Sequence, residues 1–274
     1  MTKLRPALAA VLMLIVPCAW TYEPPEADWN AIGLNAEKQS ATYWLQRSPE
    51  LDKVLLQATT IQDRNRRLLA SEPGMADWST WPNHVPAAAI RQRIEVLSKR
   101  PGTSLFKTTD TSISSEDIDA WLDNLDLANI QDADDRLFGM VVKRSALRRF
   151  PTDQRAFDSK GGIDIDRLQE SAVFPGTPVA VLHESKDRKW LFIQSQNYAA
   201  WVNADAVGLA SRQIVMAHAQ KQPRRIVTGS QIRTVFQPDS TQVSEQVLDM
   251  GSTLPLRTDW PLSKPVNGQG SLGA

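Results

Sequence analysis

Between residues 138 and 204 the chain holds short β-rich runs, FGMVVKR, PVAVLHES, KWLFIQS and YAAWVNA, packed close together. They are rich in valine, isoleucine, phenylalanine, tyrosine and tryptophan, the residues that suit a pleated, half-buried surface. Asp187-Arg188 separates one pair of runs and Gln196-Asn197 the next. Gaps this short read as tight hairpin turns, so the strands are antiparallel neighbours. Several short strands at such spacing predict a small closed barrel over residues 136–212.

The stretch before the barrel has a different period. Ser48-Pro49 reads as an N-cap followed by proline at the first helical position. Leu51, Val54, Leu55, Ala58, Ile61, Leu68 and Leu69 then recur at helical spacing, predicting one apolar face up to Pro73-Gly74. Pro82 and Pro86 punctuate a loop before a second helix with Ile90, Ile94 and Leu97 on its buried side, ended by Pro101-Gly102. Ser114 with Asp117 forms a capping-box signature ahead of Ile118, Trp121, Leu122 and Leu125. A helical domain over residues 28–135 follows. The fold class is α+β: a helical N-terminal domain, a small β-barrel, and a second, weaker strand set over 224–274 in IVTGSQIRTVF and TLPLR. If that second set is incomplete, Val227 to Phe236 leaves an unpaired strand edge, with low stability or dimerisation as the expected result.

At the start, Lys3 and Arg5 precede the unbroken apolar run Ala7–Val16. A membrane span needs about 20 apolar residues, so this shorter run reads as a secretory signal over residues 1–19. Cys18, directly after it in IVPC, resembles the lipid-bearing cysteine of a lipoprotein box, although Pro17 suits neither that box nor ordinary cleavage after Ala19. The product is expected in the periplasm, or held in the envelope by a single lipid anchor. With one cysteine in the chain, no intrachain disulfide can form. TYEPPEADW is read as the linker to the first fold, and PVNGQGSLGA as a nearly patternless tail.

Charge narrows the partners. Lys+Arg and Asp+Glu each total 31, leaving no basic surplus of the kind that nucleic-acid binding requires. Catalytic patterns are also lacking in the sequence. His84, His183 and His218 are too scattered for a zinc signature, and His183 lies in a strand where packing is the default role. No Gly-x-Ser-x-Gly elbow and no glycine-rich phosphate loop occur, Gly161-Gly162 being an isolated pair. Asp132, Asp134 and Asp135 read as a solvated linker. No metal or cofactor is expected.

Three segments carry a more specific signal: LRRFPTDQRAFD (147–158), DRLQESAVFPGTPVAVLHESKDRKWLFIQS (166–195) and NYAAWVNADAVGLA (197–210). This ordered set resembles the first bacterial SH3-type barrel of the NlpC/P60 cell-wall cysteine peptidases. The helical region resembles the family's preceding domain more loosely, and MGSTLPL (250–256) resembles the start of its second barrel, so the resemblance implies a small SH3-like β-barrel over 136–212 and an incomplete second SH3-like barrel over 224–274. The resemblance implies an enzyme of helical domain, two barrels and a papain-like peptidase that cuts peptidoglycan stems near D-glutamate and diaminopimelate. Its nucleophile is a cysteine in an Asp-Cys-Ser-Gly context, activated by histidine, and nothing in this sequence matches it. Cysteine proteolysis also needs a thiolate activated within a pocket, and Cys18 lies in the leader. The chain is therefore expected not to be an enzyme, but to be the exported, wall-targeting portion of such a peptidase or a truncated product of one. The alternative is an envelope adaptor that binds a protein partner. The expected partners are peptidoglycan and either a peptidase domain or an envelope protein.

Aromatic faces with polar rims suit sugar rings and peptide stems. Trp190, Tyr198 and Trp201 supply such faces on the barrel, with Asp187, Arg188 and Asn197 in the adjoining turns and Arg148 and Arg149 at a strand end. The candidate ligand-binding set is Arg148, Asp187, Trp190, Tyr198 and Trp201; for the tryptophans the competing role is core. Trp78 and Trp81, in the loop ADWSTWPNHVP, either face a partner or fold back to lock the loop.

Overall fold

The computed structural model describes residues 35–261, apart from 36, 39, 73, 135 and 136, together with residue 265. The signal and its Cys18, the linker TYEPPEADW, Pro73, Asp135 and the tail from residue 266 lie outside the described residues. Contacts divide the chain between Thr60 and Ile61 into two compact units.

In the first unit, helix α1 (Ala41–Leu45) is capped by Ser40, whose hydroxyl accepts from the Thr42 N–H at 3.2 Å. Tyr43 and Trp44 meet edge to face, and the Arg47 guanidinium stacks over the Tyr43 ring. The helix expected from Ser48-Pro49 does not form: residues 49–52 are turns and helix α2 begins at Ala58 (Ala58–Ser71). Leu51, Val54 and Leu55 are exposed, Leu55 to 84%, and neither α1 nor α2 buries a residue. Most helical stability comes from tertiary packing of an apolar face, and Leu51, Val54 and Leu55 are exposed instead.

The second unit is built differently. Strand β1 (His84–Val85) pairs antiparallel with β2 (Ala133–Asp134), closing a loop around helices α3 (Ala87–Leu97) and α4 (Ser115–Asp123). The capping box at α4 is complete: Ser114 Oγ accepts from the Asp117 N–H, and the Asp117 carboxylate accepts from the Ser114 N–H. Ile90 and Ile94 of α3 are buried, as are Trp121 and Leu125 at α4.

Seven strands then form one antiparallel sheet: β3 (Phe138–Val141), β4 (Ser145–Arg148), β5 (Gln169–Val173), β6 (Pro178–Glu184), β7 (Trp190–Gln194), β8 (Ala199–Asn203) and β9 (Val207–Ala210). Their spatial order is β5-β4-β8-β7-β6-β3-β9. Both short turns of the sequence are hairpins. Ser185 N–H donates to Trp190 O around Asp187-Arg188, with Arg188 in the left-handed region at φ 59°. Around Gln196-Asn197, Ser195 N–H donates to Tyr198 O.

The sheet is covered on both faces. Side chains alternate across a strand, and here each set meets its own core. Val141, Val179, Val181, Leu191, Ile193, Ala200 and Val202 pack together on one side. Phe138, Leu182, Trp190, Phe192 and Trp201 point the other way and join Ile90, Ile94, Trp121 and Leu125 of the helices in a single cluster. The change from helix to strand near residue 138 is thus not a break in the core. Gly139 is required where β3 meets β9, because a Cβ there would sit 2.3 Å from Val207 Cγ1.

Helix α5 (Arg212–Gln220) adds Val215 to the helical-side core. After it, β10 (Arg224–Ile226) pairs with β13 (Thr253–Pro255), and β11 (Gln231–Arg233) with β12 (Val247–Asp249). Ile226 faces Thr253 whereas Gln231 faces Asp249, so the two ladders are segments of one hairpin separated by a one-residue change of register. The segment Val227 to Phe236 is thus paired on one side only: each ladder has two strands, and its outer edge has no strand partner among the described residues, as the unpaired edge expected from the sequence requires. Val227 bonds Ser252 and Gly251, β11 is paired, and Thr234 N–H donates to Gln246 O.

A shared core predicts that the second unit unfolds as one. Ile94→Ala should lower stability by about 3 kcal/mol while tryptophan fluorescence and far-UV circular dichroism keep coincident urea transitions. Separate transitions would show independent cores.

Candidate functional site

An open groove of about 590 Å³ lies between α3 and the β5–β8 side of the sheet. Tyr198 enters it from the Gln196-Asn197 turn, and its phenol donates to Glu170 Oε2 at 2.7 Å. Glu170 is the extra residue of a bulge: Leu147 faces Ser171 and Arg148 faces Gln169, leaving Glu170 without an opposite number. Such bulges re-aim a side chain out of the pleat, and this one directs a carboxylate to the groove.

The opposite wall comes from α3. Arg93 reaches across so that its Nη1 donates to Gln194 Oε1 at 3.0 Å, while Gln194 Nε2 donates to the carbonyls of Gly74 and Ser195. Burial pushes the Arg93 pKa below its ordinary value. Arg149 closes one end, its Nε donating to Leu97 O and its Nη2 to Lys99 O, both at 2.9 Å. These are carbonyls at the helix C-terminus, where a cation is favoured. Val96, Leu97 and Ala199 give the groove apolar walls.

The five candidate residues do not come together. Trp190 and Trp201, 3% and 0% exposed, lie in the core shared with the helices and offer no face to a ligand. Trp201 packs against Phe192 and His183, and its indole N–H points at Ser98 Oγ at 3.3 Å. Arg148 is also buried: it pairs with Asp166 at 2.9 Å and donates to Gln154 O, and Asp166 accepts from the Ala156 and Leu168 N–H groups. That arrangement ties down the 154–168 loop. Asp187 is exposed in the turn at the other end of β7 from Tyr198. Burial works to raise its pKa but is outweighed by hydrogen bonds from the Ser185 hydroxyl and the Lys189 N–H, so its carboxyl titrates below the usual range. Tyr198 alone of the five lines the groove; Arg93, Glu170 and Gln194 join it from separate elements.

Trp78 and Trp81 fold back. Their ring centres lie 5.4 Å apart with the planes tilted by 59°, Trp78 meets Phe138 at 5.9 Å, and Arg212 holds both backbone carbonyls. His183 contacts Leu125 O at 3.1 Å through Nε2, linking β6 to the end of α4. Among the described residues, no group of three or more His, Cys, Asp and Glu side chains is placed to hold a metal ion, and no helix is long and apolar enough to cross a membrane.

Comparison with known proteins places this geometry. Residues 155–203, from the loop before β5 to the end of β8, match the SH3 domain (SH3b1 type) family. The chain carries an SH3b1-type domain. Its fold is also similar to that of an NlpC/P60 endopeptidase from Photobacterium damselae subsp. piscicida, with a TM-score of 0.57 and 20% identity over 76% of this chain. The matched region is 49% of that endopeptidase, so the chain spans about half its length. No curated protein matches the sequence. Glu170, Gln194 and Tyr198 lie inside the SH3b1 match, whereas Arg93 and Arg149 lie outside it.

Two titrations check this geometry. Burial first, and then the hydrogen bond to Glu170, raise the Tyr198 pKa to about 12 from the ordinary 10.0. Tyr198 should ionise well above the ordinary tyrosine value in a spectrophotometric titration, and Glu170→Gln should lower its pKa. Because the folded value is raised, the associated stability is complete below the ordinary value and is lost as pH climbs through about 12. For His183 the sign is opposite in pH. Burial lowers its pKa from 6.5 against the favourable contact with the Leu125 carbonyl, so the unfolded chain takes up the proton first. Stability should fall as pH drops below that ordinary value, and His183→Gln should flatten the melting-temperature profile between pH 8 and 5.

Proposed function

We propose that this chain is the exported, non-catalytic portion of an NlpC/P60-type peptidase that associates with the cell wall and positions the enzyme on peptidoglycan. The observation that carries the reading is the open groove at Tyr198 on an SH3b1-type domain. A phenol, a carboxylate, two guanidiniums and apolar walls form the mixture of polar points and apolar area that holds sugars and peptides. The fold likeness to an NlpC/P60 endopeptidase supports the family setting. Within this proposal, residues 28–135 act as a helical bracing domain, 136–212 as the SH3-like barrel, and 224–274 as part of a second barrel.

Export belongs to the same proposal and rests on Lys3, Arg5 and the apolar run Ala7–Val16, with Cys18 as the lipid-bearing residue if the product is anchored. A second reading, an envelope adaptor for a protein partner, is favoured by the exposed apolar side chains of the C-terminal hairpin. Val235, Phe236 and Met250 are each more than half exposed.

Sedimentation with purified sacculi separates the two. Wall association predicts retention in the pellet at moderate salt, with Tyr198→Ala reducing retention several-fold. Full recovery in the supernatant would support the adaptor and end the wall reading.

A further inference from the structure

We propose that the groove takes a carboxylate-bearing ligand, with Arg93 as the residue that recognises the carboxylate. The inference depends on the wall-binding reading only for the ligand's identity, since the groove's own charge balance carries the chemistry.

The groove is lined by two cations, Arg93 and Arg149, and by a single acid, Glu170. Glu170 is engaged by the Tyr198 phenol. Arg149 is engaged by the carbonyls of Leu97 and Lys99, which hold its guanidinium against the end of α3. Arg93 differs from both. A guanidinium has five N–H donors, and among the described residues the hydrogen bond of Arg93 is the one from Nη1 to the neutral Gln194 Oε1, with the Trp81 ring 5.9 Å away. It is half-buried on the wall of the groove, with no carboxylate of the described residues in ion-pair contact. Four of its N–H donors have no hydrogen-bond partner among the described residues, and the guanidinium lies on the wall of a partly desolvated space.

A guanidinium in that position is best completed by a planar anion that can accept two parallel N–H bonds. Gln194 fixes where the fork points, because its own amide is anchored by Gly74 O and Ser195 O. Glu170 stands in the same groove and disfavours a second anion beside it, so the carboxylate is placed on the Arg93 side. The apolar walls of Val96, Leu97 and Ala199 suit the short aliphatic portion of an acidic amino acid or peptide. Burial of the Arg93 guanidinium also makes an incoming anion more valuable there than at an open surface.

The test uses the full chain with isotope-labelled arginine side chains. Glutarate and its diamide are titrated while the Arg93 Nε–H resonance is followed, and the L-Ala-γ-D-Glu-diaminopimelate tripeptide is compared with its fully amidated form. Glutarate and the acidic tripeptide should each shift that resonance saturably, with affinities about tenfold above those of their amides. Arg93→Gln should abolish the preference, and Arg93→Lys should keep part of it; both should melt as the wild type does. Equal binding of acid and amide, an unmoved Arg93 resonance, or a preference that survives in Arg93→Gln overturns the inference. Retention on sacculi without a carboxylate preference would overturn this inference alone. A carboxylate preference without retention would uphold it and end the wall reading.

Discussion

Trp201 has no solvent-exposed surface, and its indole N–H donates to Ser98 Oγ, which in turn donates to Arg149 O. Through that short relay β8, the end of α3 and the end of β4 are fixed to one another. Arg149 completes the junction by returning two hydrogen bonds from its guanidinium to Leu97 O and Lys99 O. A buried polar chain of this kind is costly unless every member is satisfied. Once satisfied, it specifies a single seating of the helix on the sheet. The groove exists because α3 is held at that place; neither the helix nor the strands would form it alone.

How far the sequence foretold this differs from element to element. The hairpins at Asp187-Arg188 and Gln196-Asn197 and the capping box at Ser114 and Asp117 were legible because each depends on neighbours within a few residues. The roles of Trp190 and Trp201 were less so. In β7 every residue is buried, so the alternation that normally marks an outer face is erased, and a tryptophan against a helix reads the same as a tryptophan awaiting a ligand. The apolar spacing from Leu51 to Leu69 was right for its second half, which is helix α2, and wrong for its first, where residues 49–52 are turns. Its period is helical, but a period states which residues would share a face and cannot say whether anything covers it. Arg93 and Glu170 carried no signal: one sits on a helix surface, the other on a bulge whose position depends on how β4 and β5 register.

The SH3b1 match begins at residue 155 and ends at residue 203, yet the groove also draws on residues that precede it. Its cationic wall comes from α3 and from the end of β4. The shape and charge of this surface are therefore a property of the sheet together with the helix packed on it. Two proteins with similar SH3b sequences can differ here through the preceding helical segment alone. That is a physical reason why likeness within the strands is a weak guide to what such domains hold.

The bulge at Glu170 has a bearing beyond the groove. Strand β5 is an outer strand of the sheet, and a regular, neutral outer strand is a template on which further chains can add. The surplus residue interrupts that template, and its carboxylate places a negative charge on the exposed border. The feature that aims Glu170 at Tyr198 thus also blunts an outer strand against edge-to-edge pairing.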